Sequence, residues 1–289
     1  MRVPYRKLDA FAENGSRGNP AAYLRLSAPL TDAQYLAVAK EHKGFISEFV
    51  FALPSETAAC ELVYYSSECE VDFCGHGTIA TMVGLLTEDE RLRAMPTLTV
   101  DTRRKGRLTV YNRMATESAA YIAAPEAVAL PVPADKGEIA SALGVSTSAL
   151  ADAPVALIDA GLRTLLVPVR TLADEIRMRP DEPTLKAFSL AKGYDITLTY
   201  CRETADSGCI AHTRVFAPKF GYLEDPATGS GNSALANLLL QAGAWNGAPA
   251  KVEQGGAGER YNIVRIAAED GKVLFGGGAT ARIVGEYLL

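Results

Sequence analysis

The sequence predicts an α+β protein of two similar domains, each a curled, barrel-like mixed β-sheet around a central helix. Three observations lead to this fold class. The chain has 289 residues, about twice the length of a typical domain. Segments typical of strands and helices alternate, and their order in the first half recurs in the second. Each half also contains one helix that is apolar on nearly every side, which suits burial inside a curled sheet.

The first half of the chain contains the pattern of a mixed sheet with two helices. Turn-forming residues, Asn14-Gly15 and Gly18-Asn19-Pro20, separate the first two strands. Thr31 is predicted to cap a helix from residue 32 to about residue 42, and residues 77–86 form the central apolar helix. Strands are expected at residues 5–11, 21–26, 46–52, 60–65, 98–101, 106–111 and 119–123.

The second half repeats this order after a stretch rich in Ala and Pro, residues 123–133, which is typical of a link between domains. We expect an N-terminal domain of residues 1–122, completed by the last strand at about residues 280–289. A C-terminal domain would then cover residues 123–279. Its helices are predicted at residues 181–191 and 231–240, and the remaining strands at 155–158, 165–169, 196–201, 211–216, 263–266 and 279–287.

The two central helices align without a gap. Residues 75–86 placed on residues 229–240 give five identities in twelve positions, and both segments open with Gly-x-Gly. Together with the repeated order of strands and helices, this match favours internal duplication over coincidence.

Composition and charge exclude several classes of partner. The net charge is −5, and the densest basic stretch, Arg103-Arg104-Lys105, is more typical of a solvated hairpin turn than of a nucleic-acid surface. No window approaches the roughly 18 consecutive apolar residues of a membrane span, and the first residues lack a secretory apolar segment. We therefore expect a cytoplasmic protein with no nucleic-acid or membrane partner.

The cysteines and histidines show neither a disulfide framework nor the spacing of a zinc site. An odd number of cysteines without a CxxC pair indicates reduced thiols. The histidines lie far apart, without HxxxH or HxH, so no metal site is expected, although ligands can converge from distant positions. The residues are Cys60, Cys69, Cys74, Cys201 and Cys209, with His42, His76 and His212.

Two Gly-rich turns, Cys74-Gly75-His76-Gly77 and Thr228-Gly229-Ser230-Gly231, each lead from a strand-like segment into a central helix. Unpaired N–H groups at a helix N-terminus bind a carboxylate or phosphate without a Lys or Arg, and Gly lets the backbone approach the ligand. Both turns also fit the spacing G-x-G-x-x-A of dinucleotide sites, but neither is followed cleanly by the required acid about 20 residues on. A small anionic ligand is therefore favoured over a nucleotide.

Cys74 and His76 flank Gly75 in the first turn and could carry protons. His is suited to proton transfer near neutral pH, and a helix N-terminus favours the thiolate of a nearby Cys. The alternative is a buried Cys beside a His that hydrogen-bonds the loop.

Glu48 lies in the strand Ile46-Ser47-Glu48-Phe49-Val50-Phe51. Alternation places it on the face of Ile46 and Val50, with Phe49 and Phe51 opposite. Both faces are apolar, so the Glu48 carboxyl would be desolvated, which suits a general acid or base. A Glu at a sheet edge that reaches solvent would give the same pattern.

The second turn follows two acids, in Glu224-Asp225-Pro226-Ala227-Thr228-Gly229-Ser230. Asp or Thr in this position is often an N-cap. The segment gains interest because it corresponds in the repeat to the turn that begins with Cys74.

These motifs, taken in order along the chain, resemble the PhzF-like (phenazine-biosynthesis-like) proteins. Besides Glu48 and the two turns, the resemblance is carried by Asp9-Ala10-Phe11, Gly18-Asn19-Pro20 and Arg214-Val215-Phe216-Ala217-Pro218. It implies the diaminopimelate epimerase-like fold, with the active site in the cleft between two similar domains, and it is consistent with a homodimer. The best-understood member isomerises trans-2,3-dihydro-3-hydroxyanthranilate by moving a proton, without metal or organic cofactor.

The resemblance also implies roles for individual residues. The catalytic Glu of the family matches Glu48, and its supporting His, Asp and Ser match His76, Asp225 and Ser230. The ligand would be a small carboxylate metabolite. Its binding residues would be Asn19, Cys74, Gly75, Gly77, Thr228 and Gly229.

Two departures leave the substrate and the chemistry open. Racemases of the same fold use two opposed cysteines, and here Thr228 stands where the second would be, which disfavours a two-thiol racemase. A racemase-like epimerase or a dehydratase that uses Cys74 remains an alternative, as does a non-catalytic carboxylate-binding protein. Phe49 replaces a Thr found in many members, at a position expected to shape the cleft.

Overall fold

The computed structural model describes residues 1–258 and 260–289. The chain divides into two units. The N-terminal unit comprises Met1–Ala123 and Gly276–Leu289, and the C-terminal unit comprises Ala124–Phe275. The expected boundaries were residues 122/123 and 279/280.

The N-terminal unit contains nine strands and four helices, with the last strand of the chain among them. The helices are α1 (Asp32–Glu41), α2 (Gly75–Glu88), α3 (Glu90–Arg93) and α4 (Met114–Glu117). The strands are β1 (Arg2–Ala10), β2 (Asn19–Arg25), β3 (Glu48–Leu53), β4 (Glu61–Ser66), β5 (Glu70–Val71), β6 (Thr97–Thr102), β7 (Gly106–Arg113), β8 (Ala119–Ala123) and β18 (Ala279–Leu288).

The strands of this unit form a mixed sheet in a non-sequential order. Strand β18 pairs antiparallel with β1, and β1 pairs antiparallel with β2. Strand β2 then pairs parallel with β3, β3 antiparallel with β4, and β4 parallel with β6. Strands β7 and β8 continue from β6 with antiparallel pairing, while the two-residue β5 lies against β4.

Helix α2 lies inside the curl of this sheet. It contacts β18, β1, β2 and β3, and also β8 at the other end of the strand order. Its residues from Gly77 to Leu86 are all buried, as an apolar helix with no polar face requires. A second core forms on the outer side of the sheet, where Tyr35 and Val38 of α1 pack against Phe49 and Phe51 of β3.

The C-terminal unit contains strands β9 to β17 and helices α5 to α8. The helices are α5 (Lys136–Ala142), α6 (Leu172–Arg177), α7 (Glu182–Lys192) and α8 (Gly229–Gln241), with short 3-10 turns at Thr147–Ala149 and Pro218–Phe220. The strands are β9 (Val128–Leu130), β10 (Ala156–Asp159), β11 (Arg163–Pro168), β12 (Ile196–Cys201), β13 (Cys209–Phe216), β14 (Glu224–Asp225), β15 (Ala250–Gln254), β16 (Asn262–Glu269) and β17 (Lys272–Gly277), which crosses the boundary between the units.

The strand pairing of the C-terminal unit repeats that of the N-terminal unit step by step. The pairs β9–β10 and β10–β11 are antiparallel, β11–β12 is parallel, β12–β13 antiparallel, β13–β15 parallel and β15–β16 antiparallel. The short β14 lies against β13 as β5 lies against β4. Helix α8 takes the place of α2, with contacts to β10, β11, β12 and β16. The predicted duplication is therefore present in the pairing, and the predicted fold class is confirmed.

Some elements differ from the sequence prediction. The Ala- and Pro-rich stretch contains β9, which pairs with β10. Helices α5 and α6 and strands β15 and β17 were not predicted. Both central helices begin two residues earlier than expected, since Gly75 and Gly229 are already helical. No helix in the described part of the chain combines the length and hydrophobicity needed to cross a membrane.

Candidate active site

Glu48, Cys74 and His76 converge in the N-terminal unit, although His76 lies 28 positions after Glu48 in the sequence. Glu48 is the first residue of β3, where it pairs with Ala21 of β2 and Ser66 of β4. Cys74 is the N-cap of α2, and His76 is the second residue of that helix. The packing of α2 inside the sheet thus brings the start of β3, where Glu48 lies, to the N-terminus of α2.

His76 is the centre of this group. Its Nε2 lies 3.5 Å from Glu48 Oε2 and 3.3 Å from Ser47 Oγ, and its Nδ1 lies 3.4 Å from Cys74 Sγ. The side chains of His76 and Glu48 are 14% and 25% exposed. A carboxylate, an imidazole and a thiol therefore meet at a site that is partly open to solvent.

The carboxylate of Glu48 has one oxygen without a hydrogen bond from any residue that the structure describes. Glu48 Oε2 is buried, and its 3.5 Å contact with His76 has the distance of an ion pair but not the geometry of a hydrogen bond. A buried, unsatisfied carboxylate oxygen is costly, because it has lost water without gaining a donor. This atom is therefore available to accept a proton or a hydrogen bond from a ligand.

The position of Cys74 is set by the start of α2. Its Sγ accepts a hydrogen bond from the Gly77 N–H at 3.2 Å, and its carbonyl accepts one from Thr78 Oγ1 at 2.7 Å. A Cβ on Gly77 would lie 2.9 Å from Val50 Cγ2 and 3.0 Å from Cys74 Sγ. Only Gly at this position allows the thiol and the helix to approach so closely.

Asp225 and Thr228 lie together at the start of α8 in the C-terminal unit. The Thr228 hydroxyl donates a hydrogen bond to the Asp225 carboxylate. Gln254 of β15 completes the group: its Oε1 accepts from the Thr228 N–H at 3.0 Å, and its Nε2 donates to the Asp225 carbonyl at 2.8 Å. Gln254 was missed in the sequence because the strand that carries it was not predicted.

The two N-caps share a backbone conformation but differ in their side chains. Cys74 has φ −133° and ψ 111°, and Thr228 has φ −125° and ψ 107°. Four residues later, Thr78 and Asn232 each donate a side-chain hydrogen bond back to the N-cap carbonyl. However, the Cys74 thiol caps its helix, whereas the Thr228 side chain makes no cap bond and turns to Asp225. The first turn of α8 is thus left without a side-chain cap.

Arg214 holds the strand that carries Asp225. Its side chain is 4% exposed, and Nε and Nη2 donate to the two oxygens of Glu224 at 2.9 and 2.8 Å. Its Nη1 donates to the carbonyls of Glu175 and Met178 at 2.8 and 2.9 Å. Because Glu224 and Asp225 form β14, this pair connects the acidic motif to β13 and to the end of α6.

The remaining predicted residues lie near these two groups. Ser230 is the second residue of α8 and is half-buried, while Gly75 and Gly229 open the two helices. Asn19 is 3% exposed at the start of β2. The expectation that Phe49 shapes the cleft is wrong: it lies on the opposite face of β3 from Glu48 and packs edge-on against His42, with ring centroids 4.7 Å apart.

A second group of similar composition is fully buried in the C-terminal unit. Glu175, Cys201 and His212 have ligand atoms within 4.8 Å of one another. His212 Nδ1 lies 3.0 Å from Glu175 Oε2, and Thr199 Oγ1 donates to Glu175 Oε1 at 2.7 Å. Burial and the nearby Glu175 carboxylate raise the pKa of the Cys201 thiol. With Glu175 and His212 both 0% exposed, this group has no access for a substrate.

The chain is similar in sequence to proteins of one known family. The sequence matches the family described as phenazine biosynthesis-like protein over residues 8–285. An uncharacterised isomerase of Pseudomonas aeruginosa is 31% identical over 256 residues, which cover 83% of each chain. An uncharacterised isomerase of Bacillus subtilis is 32% identical over 97 residues, 34% of this chain and 32% of that protein.

Several solved structures share the fold of this chain. A PhzF-family phenazine biosynthesis protein of Enterococcus faecalis has a TM-score of 0.78 and 26% identity, with both chains covered fully. One of Bacillus anthracis has a TM-score of 0.86 at 24% identity, again over both full chains. A hydroxyproline epimerase of Agrobacterium vitis shares the fold, with a TM-score of 0.62 and 13% identity over 99% of this chain and 92% of that one. The protein is an enzyme of the isomerase or epimerase type, and the chain belongs to the phenazine biosynthesis-like protein family.

Proposed function

We propose that the protein is a cofactor-independent isomerase that moves a proton on a small carboxylate substrate, with Glu48 as the general acid and base. The observation that carries this proposal is the buried Glu48 Oε2, which has no hydrogen bond and lies 3.5 Å from His76 Nε2. A base so placed can take a proton from a substrate carbon and return it to another carbon on the same face.

His76 supports the proton transfer through its contact with Glu48. Once Glu48 accepts the substrate proton, the imidazole can hydrogen-bond the carboxyl group or the developing charge on the substrate. The positions of Ser47 and Cys74 on either side of the ring hold its plane. No metal or organic cofactor is part of this proposal.

The start of α8 is the proposed carboxylate site. Helix N-termini bind anions through free N–H groups and the helix dipole, and the Thr228 hydroxyl does not compete because it is bonded to Asp225. The half-buried Ser230 hydroxyl lies in the same first turn. In this proposal Asp225 and Ser230 orient the substrate, and the backbone of Gly229 lets its carboxylate approach.

The decisive test is solvent-deuterium exchange into a panel of small carboxylates, because exchange needs no prior choice of reaction. Glu48→Gln keeps the size of the side chain and removes its basicity, so we expect exchange to fall by at least about 100-fold. Glu61→Gln, on the neighbouring strand β4, is a matched control that should leave exchange unchanged. Exchange retained in Glu48→Gln would refute the assignment of the base.

A second candidate function uses Cys74 in place of Glu48, as in racemase-like epimerases and dehydratases. Its support is the position of the thiol, which is 6% exposed at the N-terminus of α2 and 3.4 Å from His76 Nδ1. In that case Cys74→Ala should abolish exchange while Glu48→Gln retains it. Binding of a carboxylate without exchange in any variant would instead favour a non-catalytic binding protein.

A further inference from the structure

The cluster of Glu48, Cys74 and His76 also has the ligand set of a transition-metal site. We infer that this cluster binds one Zn²⁺-like ion, which blocks the movement of the proton by coordinating the groups that carry it. The blocking part of this inference rests on the proposed function. Ion binding itself does not.

The spacing of the three ligands is near that of a zinc site. His76 Nε2 lies 3.5 Å from Glu48 Oε2 and 3.8 Å from Cys74 Sγ, and ligand atoms of the three residues all lie within 4.8 Å of one another. Ligands around a tetrahedral zinc ion, with bonds of about 2.0–2.3 Å, lie roughly 3.3–3.6 Å from one another, so the contacts of His76 with Glu48 and Cys74 are near this spacing. The ligand atoms of Glu48 and Cys74, which are separated by up to 4.8 Å, would approach each other by as much as about 1 Å to complete the coordination.

The chemistry of the ligands selects the class of ion. A thiolate with an imidazole favours Zn²⁺ and similar transition metals over Mg²⁺ or Ca²⁺, which prefer oxygen ligands. The buried Glu48 Oε2, which has no hydrogen-bond donor, supplies the oxygen ligand. The Gly77 N–H donates a hydrogen bond to Cys74 Sγ at 3.2 Å and holds the sulfur in place, and hydrogen bonds of this kind orient metal ligands.

Access distinguishes this cluster from the one formed by Glu175, Cys201 and His212. His76 and Glu48 are 14% and 25% exposed, whereas Glu175 and His212 are 0% exposed. Both oxygens of Glu175 already have hydrogen-bond partners in Thr199 and His212. Of the two clusters, the one at α2 is therefore the one that an ion added to the folded protein can reach, and a tetrahedral ion held by its three ligands would have a fourth position for water or for a carboxylate.

The test is a titration of the metal-free, reduced protein with Co²⁺, which reports thiolate coordination by a charge-transfer band. We expect the band to saturate at one ion per chain and to disappear when Zn²⁺ is added. Cys74→Ser should remove the band, and Cys69→Ser, which changes an exposed thiol, should retain it. Because Cys74 caps α2, His76→Gln gives a second test without loss of the cap, and affinity should fall by more than about 10-fold.

Protons compete with the ion for the same ligands, so apparent affinity should weaken as the pH falls. A band that survives in Cys74→Ser, or that is absent from the folded wild type, would overturn the inference. Solvent exchange should stop when Zn²⁺ binds and return when a chelator removes it, and exchange that continues in the Zn²⁺-loaded protein would also overturn it. A metal-free protein without any exchange would refute the proposed function alone and leave the Co²⁺ result to stand.

Discussion

Replacement of Arg214 by Met should destabilise the C-terminal unit by about 3 kcal/mol. The guanidinium donates two hydrogen bonds to Glu224 and two to the carbonyls of Glu175 and Met178. Removing one partner of a buried charge pair costs about 3–5 kcal/mol. We expect a value at the lower end of this range, because the Glu224 side chain is 26% exposed and water can replace part of the hydrogen bonding that Glu224 loses with Arg214.

The single tryptophan of the chain offers a selective assay. Trp245 lies in the core of the C-terminal unit and is 8% exposed, so its fluorescence in a urea titration follows the unfolding of that unit. With a urea dependence of about 1–3 kcal/mol per M, the midpoint should fall by roughly 1–3 M.

A double-mutant cycle separates the ion pair from the rest of the network. Glu224→Gln keeps the shape of the side chain and should cost less than Arg214→Met. The double variant should be less destabilised than the sum of the two single variants, since both remove the same pair. A loss below about 1 kcal/mol for Arg214→Met, or strict additivity in the cycle, would refute the view that this residue holds β14 in place.

Three further predictions concern packing and ionisation. Gly229→Ala would place a Cβ 2.2 Å from Phe275 Cε2, so the same urea titration should show a loss of about 1–3 kcal/mol; unchanged stability would contradict this packing. Iodoacetamide at about pH 8 should modify the exposed Cys69 and leave Cys60 unmodified. Burial raises the pKa of the Cys60 thiol from 9.0 to about 12, so little thiolate forms there. Equal labelling of the two cysteines in peptide mass mapping would contradict this prediction. The same pKa shift means that the Cys60 thiol keeps its proton in the folded protein, whereas the unfolded chain loses it near pH 9.0. The free energy of unfolding should therefore fall as the pH rises from 9 towards 12, by on the order of a few kcal/mol in total. Cys60→Ala should flatten this decline, and identical slopes would argue against it.

The central helices and their Gly-rich turns were predictable from the sequence because both signals are local. A helix that is apolar all round can only be buried, and Gly-x-Gly at its start marks a close backbone approach. Helix α5 also carries a local signal, the capping box of Asp135 and Glu138, just beyond the stretch of residues 123–133 that was interpreted as a link between domains. Strand β9 had no such signal, since Val128–Leu130 becomes a strand through pairing with β10.

The residues of the candidate site also fall into those that a local sequence pattern reveals and those that only the packing of the fold brings into place. Cys74, His76 and Asp225 stand out because their chemistry coincides with a turn. The contact of Glu48 with His76 depends on how β3 packs against α2, which strand alternation alone does not determine. The alternation of side chains along the strand assigns Glu48 and Phe49 to opposite faces of β3. It does not tell which of the two faces carries the site. Gln254 had no recognisable pattern, because its role arises only from the parallel pairing of β13 with β15.

The pairing of β18 with β1 has a consequence for the order in which the protein folds. All residues of the C-terminal unit are contiguous, so this unit can fold as soon as the ribosome has released residue 275. The N-terminal unit emerges before the C-terminal unit, yet its sheet lacks strand β18, which pairs with β1, until residues 279–288 arrive. During synthesis β1 therefore exposes one unpaired edge, a feature that promotes association between chains. The N-terminal unit is therefore completed only after all residues of the C-terminal unit have been synthesised.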